Sequence, residues 1–257
     1  MQLVTLTTDW GNRDHHVGAL KGLLYSACPQ VTIVDISHKV SHHNIQQAAY
    51  IFKNAFRKFP ENSVHIIGVN SYTEEVPELL AIKKDGHYFI GMNDGFFSLV
   101  FEEEPVDMVV VEQGGLHYTY YELETVTYAA SHLLMGNNVY ELGSRPGHYE
   151  QKKSFLPVIE EEVIRGVVIY IDDFGNVVTN IHKSLFDEQK RDRKFEIVAR
   201  KMQHTIDEIS ERYSAVEPGG AVSIFNAAGY LEIAINQDSA SKLLGLKLND
   251  NIRIEFK

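Results

Sequence analysis

This 257-residue chain has a single cysteine, a single tryptophan, few basic residues and no long apolar run. A lone Cys28 excludes an internal disulfide framework and any Cys-rich metal site, and reads as a small apolar residue following a helix. Lys and Arg total 24 against 35 Asp and Glu, for a formal charge of -11. No basic stripe is present to neutralise a phosphate backbone, which excludes nucleic acid as a partner. No stretch approaches the roughly 18 to 20 apolar residues of a membrane span, and the start lacks the basic and small-residue pattern of a secretory signal. The reading is a soluble, cytoplasmic protein with no membrane partner. Gly-x-Gly-x-x-Gly after a strand, the P-loop, His-Glu-x-x-His and Gly-x-Ser-x-Gly are all missing, so dehydrogenase, P-loop nucleotidase, zincin and serine hydrolase chemistries fall. The 12 histidines include two adjacent pairs, His15-His16 and His42-His43. Neighbours on an extended chain point to opposite faces, so each pair offers one ligand to a given centre, and no metal is expected.

What is present is a chain that is 44% hydrophobic and 23% charged, enough to bury a core. Its first half alternates β-branched runs with helical periods, the pattern of an α/β fold. Strands are predicted at Leu3–Thr7, Val31–Ile36, Val64–Val69, Leu79–Ile82, Tyr88–Ile90 and Met108–Val111. Helices are predicted at Val17–Ser26, Ile45–Phe59 and Thr125–Met135, the first two stopped by Pro29 and Pro60. Lys84-Asp85-Gly86 reads as a hairpin turn that adds an antiparallel element to a mostly parallel sheet. Gly143–Lys153 has no apolar period and reads as a linker. Beyond it, six short strand patterns starting at Arg165, Asn176, Lys194, Ala221, Tyr230 and Asn251 predict a small β domain, with a helix at His204–Tyr213 and a short one at Ser239–Leu244. The predicted organisation is an α/β domain over residues 1–150 and a β-barrel domain over 158–257.

Three segments stand out chemically. Thr7-Thr8-Asp9-Trp10-Gly11 closes the first strand, and the carboxyl end of a strand is where α/β sheets bind ligands. Asp9 can take both hydroxyls of a ribose while Trp10 offers a ring face; equally, Asp9 can cap its own loop. Ile171-Asp172-Asp173-Phe174-Gly175-Asn176 offers an Asp for an ammonium and an Asn for a base edge, or else is an ordinary Asp-Gly hairpin. Asn226-Ala227-Ala228-Gly229 is a small-residue turn that lets backbone approach a ligand closely.

Taken together, these segments resemble the S-adenosylmethionine hydrolase and halogenase family, which includes hydroxide adenosyltransferases, the fluorinase and the chlorinase. The family's opening Thr-Asp-Phe-Gly, Asp, Val-Gly and Lys-Gly appear as Thr8-Asp9-Trp10-Gly11, Asp14, Val17-Gly18 and Lys21-Gly22. Its Ile-Val-Asp-Ile-(Thr/Ser)-His is Ile33 to His38, its Phe-Gly-Asn-(Leu/Val)-x-Thr-Asn-Ile is Phe174 to Ile181, and its Gly-Tyr-Leu-Glu-Ile-Ala is Gly229 to Ala234. The match spans nearly the whole chain. The resemblance implies an α/β amino domain, a β-barrel carboxyl domain and a homotrimer, with S-adenosylmethionine held as substrate or ligand between the amino domain of one subunit and the carboxyl domain of its neighbour. It further implies that Asp9 holds the ribose, Asp172 the methionine ammonium, and Phe174 and Asn176 the adenine; Trp10 and Ala228, from the segments read above, complete the expected ligand-binding set. No separate cofactor is implied.

The chain departs from the family's hydrolytic set. The Asp of Val-Asp-Pro-Gly-Val-Gly is Asn70, the following Arg region reads Glu75-Val76-Pro77-Glu78, and the His of Phe-His-Gly-Arg-Asp is Tyr121, followed by Glu122. Pro-Asp-Asn-Gly has become Met92-Asn93-Asp94-Gly95. Ionised Glu122 would repel a halide, which argues against halogenation. Glu122 or Glu124 would serve as a general base only if burial raised its pKa. Two readings follow: a hydrolase splitting S-adenosylmethionine into adenosine and methionine, with Asn70, Tyr121 and Glu122 lining a rebuilt nucleophile pocket, or an adenosyl-binding protein that has lost the chemistry.

Overall fold

The structure, a computed structural model, describes residues 2–70, 78–112, 121–199 and 205–257, with Tyr121 and Glu122 described by their backbone alone. It comprises two compact units, Met1–Lys153 and Ser154–Lys257.

The first unit runs β1 (Leu3–Thr8), α1 (His16–Ala27), β2 (Thr32–Ser37), α2 (Ile45–Ala55), β3 (Val64–Gly68), β4 (Leu79–Lys84), β5 (His87–Met92), α3 (Phe96–Val100), β6 (Asp107–Val110) and α4 (Tyr121–Leu134). Its sheet has the order β2-β1-β3-β5-β4-β6, and β4 alone runs against the rest. That reversal comes from the predicted hairpin: Asp85 and Gly86 have φ of 51° and 78°, the paired left-handed residues of a tight turn matched to strand twist. The sheet is covered on both faces. Val4, Leu6, Ile66 and Ile90 pack with Leu20 and Leu24 of α1 and with Ala129 and Leu133 of α4. Ile67, Leu80, Ile82 and Phe89 pack on the other face with Phe52 of α2, Phe56, and Phe96 and Phe97 of α3.

Local chemistry sets the helix ends. Asn44 Oδ1 accepts from Gln47 N at 2.9 Å and caps α2. The helix predicted to Phe59 tightens into a 3-10 turn at Phe56–Lys58, because Pro60 pushes Phe59 into an extended conformation (φ -84°, ψ 154°). α4 starts four residues earlier than its pattern suggests. Thr125, read as its start, is buried inside the helix, as is Thr127, whose Oγ1 donates back to Leu123 O at 2.7 Å.

The segment predicted as a linker is instead part of the first unit. Val110 N donates to Ser144 O and Glu112 N to Leu142 O, both at 2.8 Å. Tyr149 is buried, Glu150 N donates to Asn93 Oδ1 at 2.9 Å, and Lys152 N donates to Ser98 Oγ at 2.8 Å. This stretch is held by backbone bonds rather than an apolar face, so it has no periodicity to read.

The second unit contains β7 (Val158–Glu160), β8 (Val163–Ile171), β9 (Val177–His182), α5 (Lys183–Lys190), β10 (Phe195–Ala199), β11 (Ala221–Phe225), β12 (Tyr230–Ile235), α6 (Ala240–Leu243) and β13 (Asn251–Phe256). All pairings are antiparallel in the order β10-β13-β8-β9-β12-β11, with β7 added to β8. The sheet curls into a half-barrel because β8 changes partner along its length. Val163–Val167 pair with β13, and the pairing of Val168–Ile171 with β9 carries a register shift. At the bend Asn180 substitutes for the ladder: its Oδ1 accepts from Val167 N at 2.7 Å and its Nδ2 donates to Phe155 O at 2.8 Å. A Cβ on Gly166 would meet Asn180 Oδ1 at 2.7 Å, so only glycine fits there.

The helix predicted at His204–Tyr213 is not formed among the described residues 205–212. Ile206 exchanges both backbone bonds with Ile197 as an isolated bridge, and a 3-10 turn follows at Tyr213–Ala215. Burial of Ile206 against the edge of β10 outweighs a weak local helical period. Conversely, α5 escaped the sequence reading because Phe186 is its one buried side chain. No helix among the described residues is long and apolar enough to cross a membrane.

The central strands bury polar side chains. Thr5 Oγ1 lies 2.7 Å from His65 Nδ1, and His65 Nε2 lies 3.2 Å from His87 Nδ1. Burial, reinforced by His87, pushes the His65 pKa from 6.5 down to about 3. The unfolded chain therefore binds a proton that the folded chain refuses. Stability is fully present above pH 6.5 and falls as pH drops toward 3, by at most about 1.4 kcal/mol per pH unit. Urea midpoints at pH 7.5 and 5 should differ more for the wild type than for His65→Phe. Asn180→Ala should cost about 1 to 3 kcal/mol by leaving Val167 N unpaired, measured by the same titration.

Candidate functional site

In the first unit, three parallel strands end side by side, and each is followed within two residues by a polar side chain: Asp9 after β1, Asn70 after β3 and Asp94 after β5. Asp9 N donates to Gly68 O at 3.2 Å. Its carboxylate Oδ2 accepts from His43 N at 2.9 Å and Asn70 N at 3.3 Å. Both donors lie in left-handed backbone, φ 61° for His43 and 57° for Asn70, a conformation open to Asn and His more than to most residues. Oδ1 has no partner among the described residues.

The Asn70 side chain joins the cluster in a fixed sense. Its Nδ2 donates to Asp94 Oδ2 at 3.2 Å, so the Oδ1 that lies 3.2 Å from His43 Nδ1 is the acceptor and the imidazole carries its proton on Nδ1. Asp94 Oδ1 accepts from Phe96 N at 2.9 Å. Asp94 is buried, and burial pushes its carboxyl above the ordinary range while the Phe96 amide and Asn70 pull the other way.

Trp10 lies against β3. An ideal Cβ on Gly68 would come 2.5 Å from its Cζ2, so the glycine makes room for the indole, and the buried Nε1 has no partner among the described residues. Behind it, Thr8 Oγ1 meets His38 Nδ1 at 2.8 Å. His38 Nε2 sits 3.1 Å from Asp35 Oδ1, out of line for a hydrogen bond, and Lys21 Nζ is 2.6 Å from Asp35 Oδ2. Burial raises the Asp35 carboxyl, but Lys21 and His38 hold it below its usual range.

In the second unit, residues 172–176 form the turn between β8 and β9. Asp172 Oδ1 accepts from Asn176 N at 2.8 Å and Oδ2 from Asn176 Nδ2 at 2.9 Å, while Gly175, at φ 85°, packs under Ser239. The hairpin reading and the ligand reading thus coexist: each carboxylate oxygen keeps a second lone pair, and Asn176 keeps its Oδ1. Phe174 projects from the turn at 81% exposure. Ala228 belongs to the β11–β12 turn, which Asn226 organises by accepting at Oδ1 from Ala228 N at 3.0 Å and Tyr230 N at 3.2 Å. Because Tyr230 pairs with His182 and Ile233 with Val177, that turn stands at the far end of β9 from residues 172–176.

The predicted residues therefore fall into groups: Asp9 with Asn70 and, beside them, Trp10; Asp172 with Asn176 and Phe174; and Ala228 apart from these along β9. Tyr121 and Glu122 open α4 with side chains outside the described residues, as are Glu75, Val76 and Pro77. Glu124 is exposed, which removes the burial its role as a base required. Two members of the cluster were missed. His43 enters through a backbone amide, which no residue type announces; Asp94 left a trace in the altered Met92-Asn93-Asp94-Gly95 stretch.

A carboxylate, an amide and a second carboxylate thus meet at adjacent strand ends of an α/β unit, on the edge of the sheet where such folds commonly place their ligands. The chain belongs to the SAM hydroxide adenosyltransferase family: the model of the family's N-terminal domain matches residues 4–143 and that of its C-terminal domain residues 166–253. It is 28% identical to an (R)-S-adenosyl-L-methionine hydrolase of Methanocaldococcus jannaschii, covering 100% of this chain and 97% of the relative. It is 27% identical to a fluorinase of Nocardia brasiliensis, covering 98% and 96%. Among solved structures, an uncharacterized conserved protein from Thermotoga maritima superposes with a TM-score of 0.87 at 28% identity, covering 98% and 99%.

Trp10 is the sole tryptophan, so its seat can be read directly. Gly68→Ala should displace the indole toward water and shift its fluorescence emission to longer wavelength, with little change in far-ultraviolet circular dichroism.

Proposed function

We propose that the protein is an S-adenosylmethionine hydrolase, cleaving its substrate to adenosine and L-methionine by attack of water at the ribose C5'. The observation that carries this reading is the Asp9 carboxylate: Oδ2 is held by two backbone amides, and Oδ1, without a partner among the described residues, can accept from a sugar hydroxyl. Membership of a family with S-adenosyl-L-methionine hydrolases among its relatives supports the substrate. The sulfonium leaves as a neutral thioether, so the protein supplies mainly position and a place for the water's proton. In this proposal Asp9 and Trp10 hold the ribose end. Asp172, Phe174 and Asn176 hold the amino-acid and base ends, and Asn70, Tyr121 and Glu122 surround the nucleophile. The exposed Phe174 ring supports the further proposal that the chain works as a homotrimer that covers it.

One observation favours a second reading. Asn70 stands where hydrolytic members carry Asp, so the protein could bind the adenosyl group without cleaving it.

Incubation of the purified protein with S-adenosylmethionine, followed by chromatography, separates the two. Adenosine and methionine in equal amounts above the uncatalysed rate are expected; saturable binding with no adenosine establishes the binding-only reading. Asp9→Ala should weaken adenosine binding by at least about tenfold in calorimetry, equivalent to about 1.4 kcal/mol. Unchanged affinity would remove the ribose role. Light scattering should give roughly three times the chain mass for the trimer.

A further inference from the structure

We infer that Asp94 is the proton acceptor of the proposed hydrolysis, supplying through an exchange of positions with Asn70 the carboxylate that position 70 lacks. The inference rests on the hydrolase reading and adds to it a residue that the sequence had not placed in the site. Asn70 Nδ2 and Asp94 Oδ2 are 3.2 Å apart, so the two side chains form one amide–carboxylate pair. In the family motifs quoted above, the Asp stands at position 70 and the Asn, third in Pro-Asp-Asn-Gly, at position 94. Here the first is Asn and the second Asp. In this chain the pair holds one carboxylate and one amide in hydrogen-bond contact with its charge at position 94, while Asn93, where the quoted motif has Asp, is an amide.

The surroundings suit a base at position 94. Asp94 follows β5 as Asp9 follows β1, on the same edge of the sheet, and Asn70 touches both, through its backbone N–H to Asp9 and its side chain to Asp94. Phe96 N fixes Oδ1 and Asn70 fixes Oδ2, so the carboxylate is held rigidly, and each oxygen keeps a lone pair for a further donor. Burial shifts this carboxyl upward, toward the range in which a carboxylate accepts a proton effectively. Asn70 donates to the carboxylate through its amide N–H and accepts a hydrogen bond from His43 Nδ1–H at its carbonyl oxygen, so His43 and Asn70 act as positioning residues.

The step balances. The water oxygen forms a bond to C5' as the C5'–S bond breaks, and that electron pair stays on sulfur to give neutral methionine thioether. The water's proton passes to Asp94, leaving the 5'-hydroxyl of adenosine, and Asp94 then returns the proton to solvent.

The test compares the wild type, Asp94→Asn and the double variant Asn70→Asp/Asp94→Asn for adenosine formation, with adenosine binding measured in parallel. Asp94→Asn should lower kcat by at least about 100-fold while changing the adenosine Kd less than about threefold. The double variant, which restores one carboxylate to the pair, should recover at least about a tenth of wild-type turnover. Asn70→Asp alone places two carboxylates in contact and should move the acid limb of the kcat profile to higher pH. An Asp94→Asn protein that keeps wild-type turnover overturns the assignment and leaves the hydrolase reading standing. A wild type that binds the substrate yet releases no adenosine overturns both. Should Asp94→Asn alone fail to fold, the double variant decides: folded and binding without turnover, it refutes the exchange.

Discussion

Parallel pairing of β1 with β3 and of β3 with β5 is the constraint on which the candidate site depends. Parallel strands end on the same edge of a sheet, so the residues that follow them meet although they are 61 and 24 positions apart in the chain. The register Val4↔Val64 and Val64↔Tyr88 aligns the three strands. The turns beyond them then bring Asp9, Asn70 and Asp94 within hydrogen-bond reach, with His43 arriving from the loop that follows β2. A shift of one residue in either pairing would move each side chain to the other face and dissolve the cluster.

That placement has a cost in the sheet. Fully buried parallel strands favour continuous aliphatic runs, yet β1 buries Thr5, Thr7 and Thr8 and β3 buries His65. Thr5, His65 and His87 satisfy one another in a line across β1, β3 and β5. Thr8 is satisfied by His38, whose Nε2 faces Asp35, itself paired with Lys21. Thr7 Oγ1 and Trp10 Nε1 are buried without partners among the described residues, an energetic debt concentrated at the end of β1 beside Asp9. Buried polar groups without partners are uncommon and often lie near functional sites.

In the second unit, curvature does the corresponding work. Asn180 and Gly166 let β8 leave β9 for β13, which turns a flat antiparallel sheet into a half-barrel and leaves the 172–176 turn at its rim. The Thr-Asn-Ile part of the motif is thereby explained structurally: Thr179 bonds Leu231 O at 3.0 Å, Asn180 bonds the bend and Ile181 fills the core. In the proposed site the ligand contacts belong to the turn before it.

The strands other than β7, the first two helices and the Asp85-Gly86 hairpin were legible in the sequence because each is dictated locally, by the alternation of apolar residues, by prolines and by residues that accept a left-handed backbone. Asp9 was legible too, since a strand end followed by a carboxylate is a local pattern. The stretch at 143–153, the extended path of residues 205–212 and the polar helix α5 were not, because distant partners rather than their own periodicity hold them. The same distinction governs the site. The sequence by itself placed an amide at position 70 and a carboxylate at position 94; only the tertiary structure decided that the two form a single hydrogen-bonded pair, because contact between residues 24 positions apart is a property of strand register and not of composition.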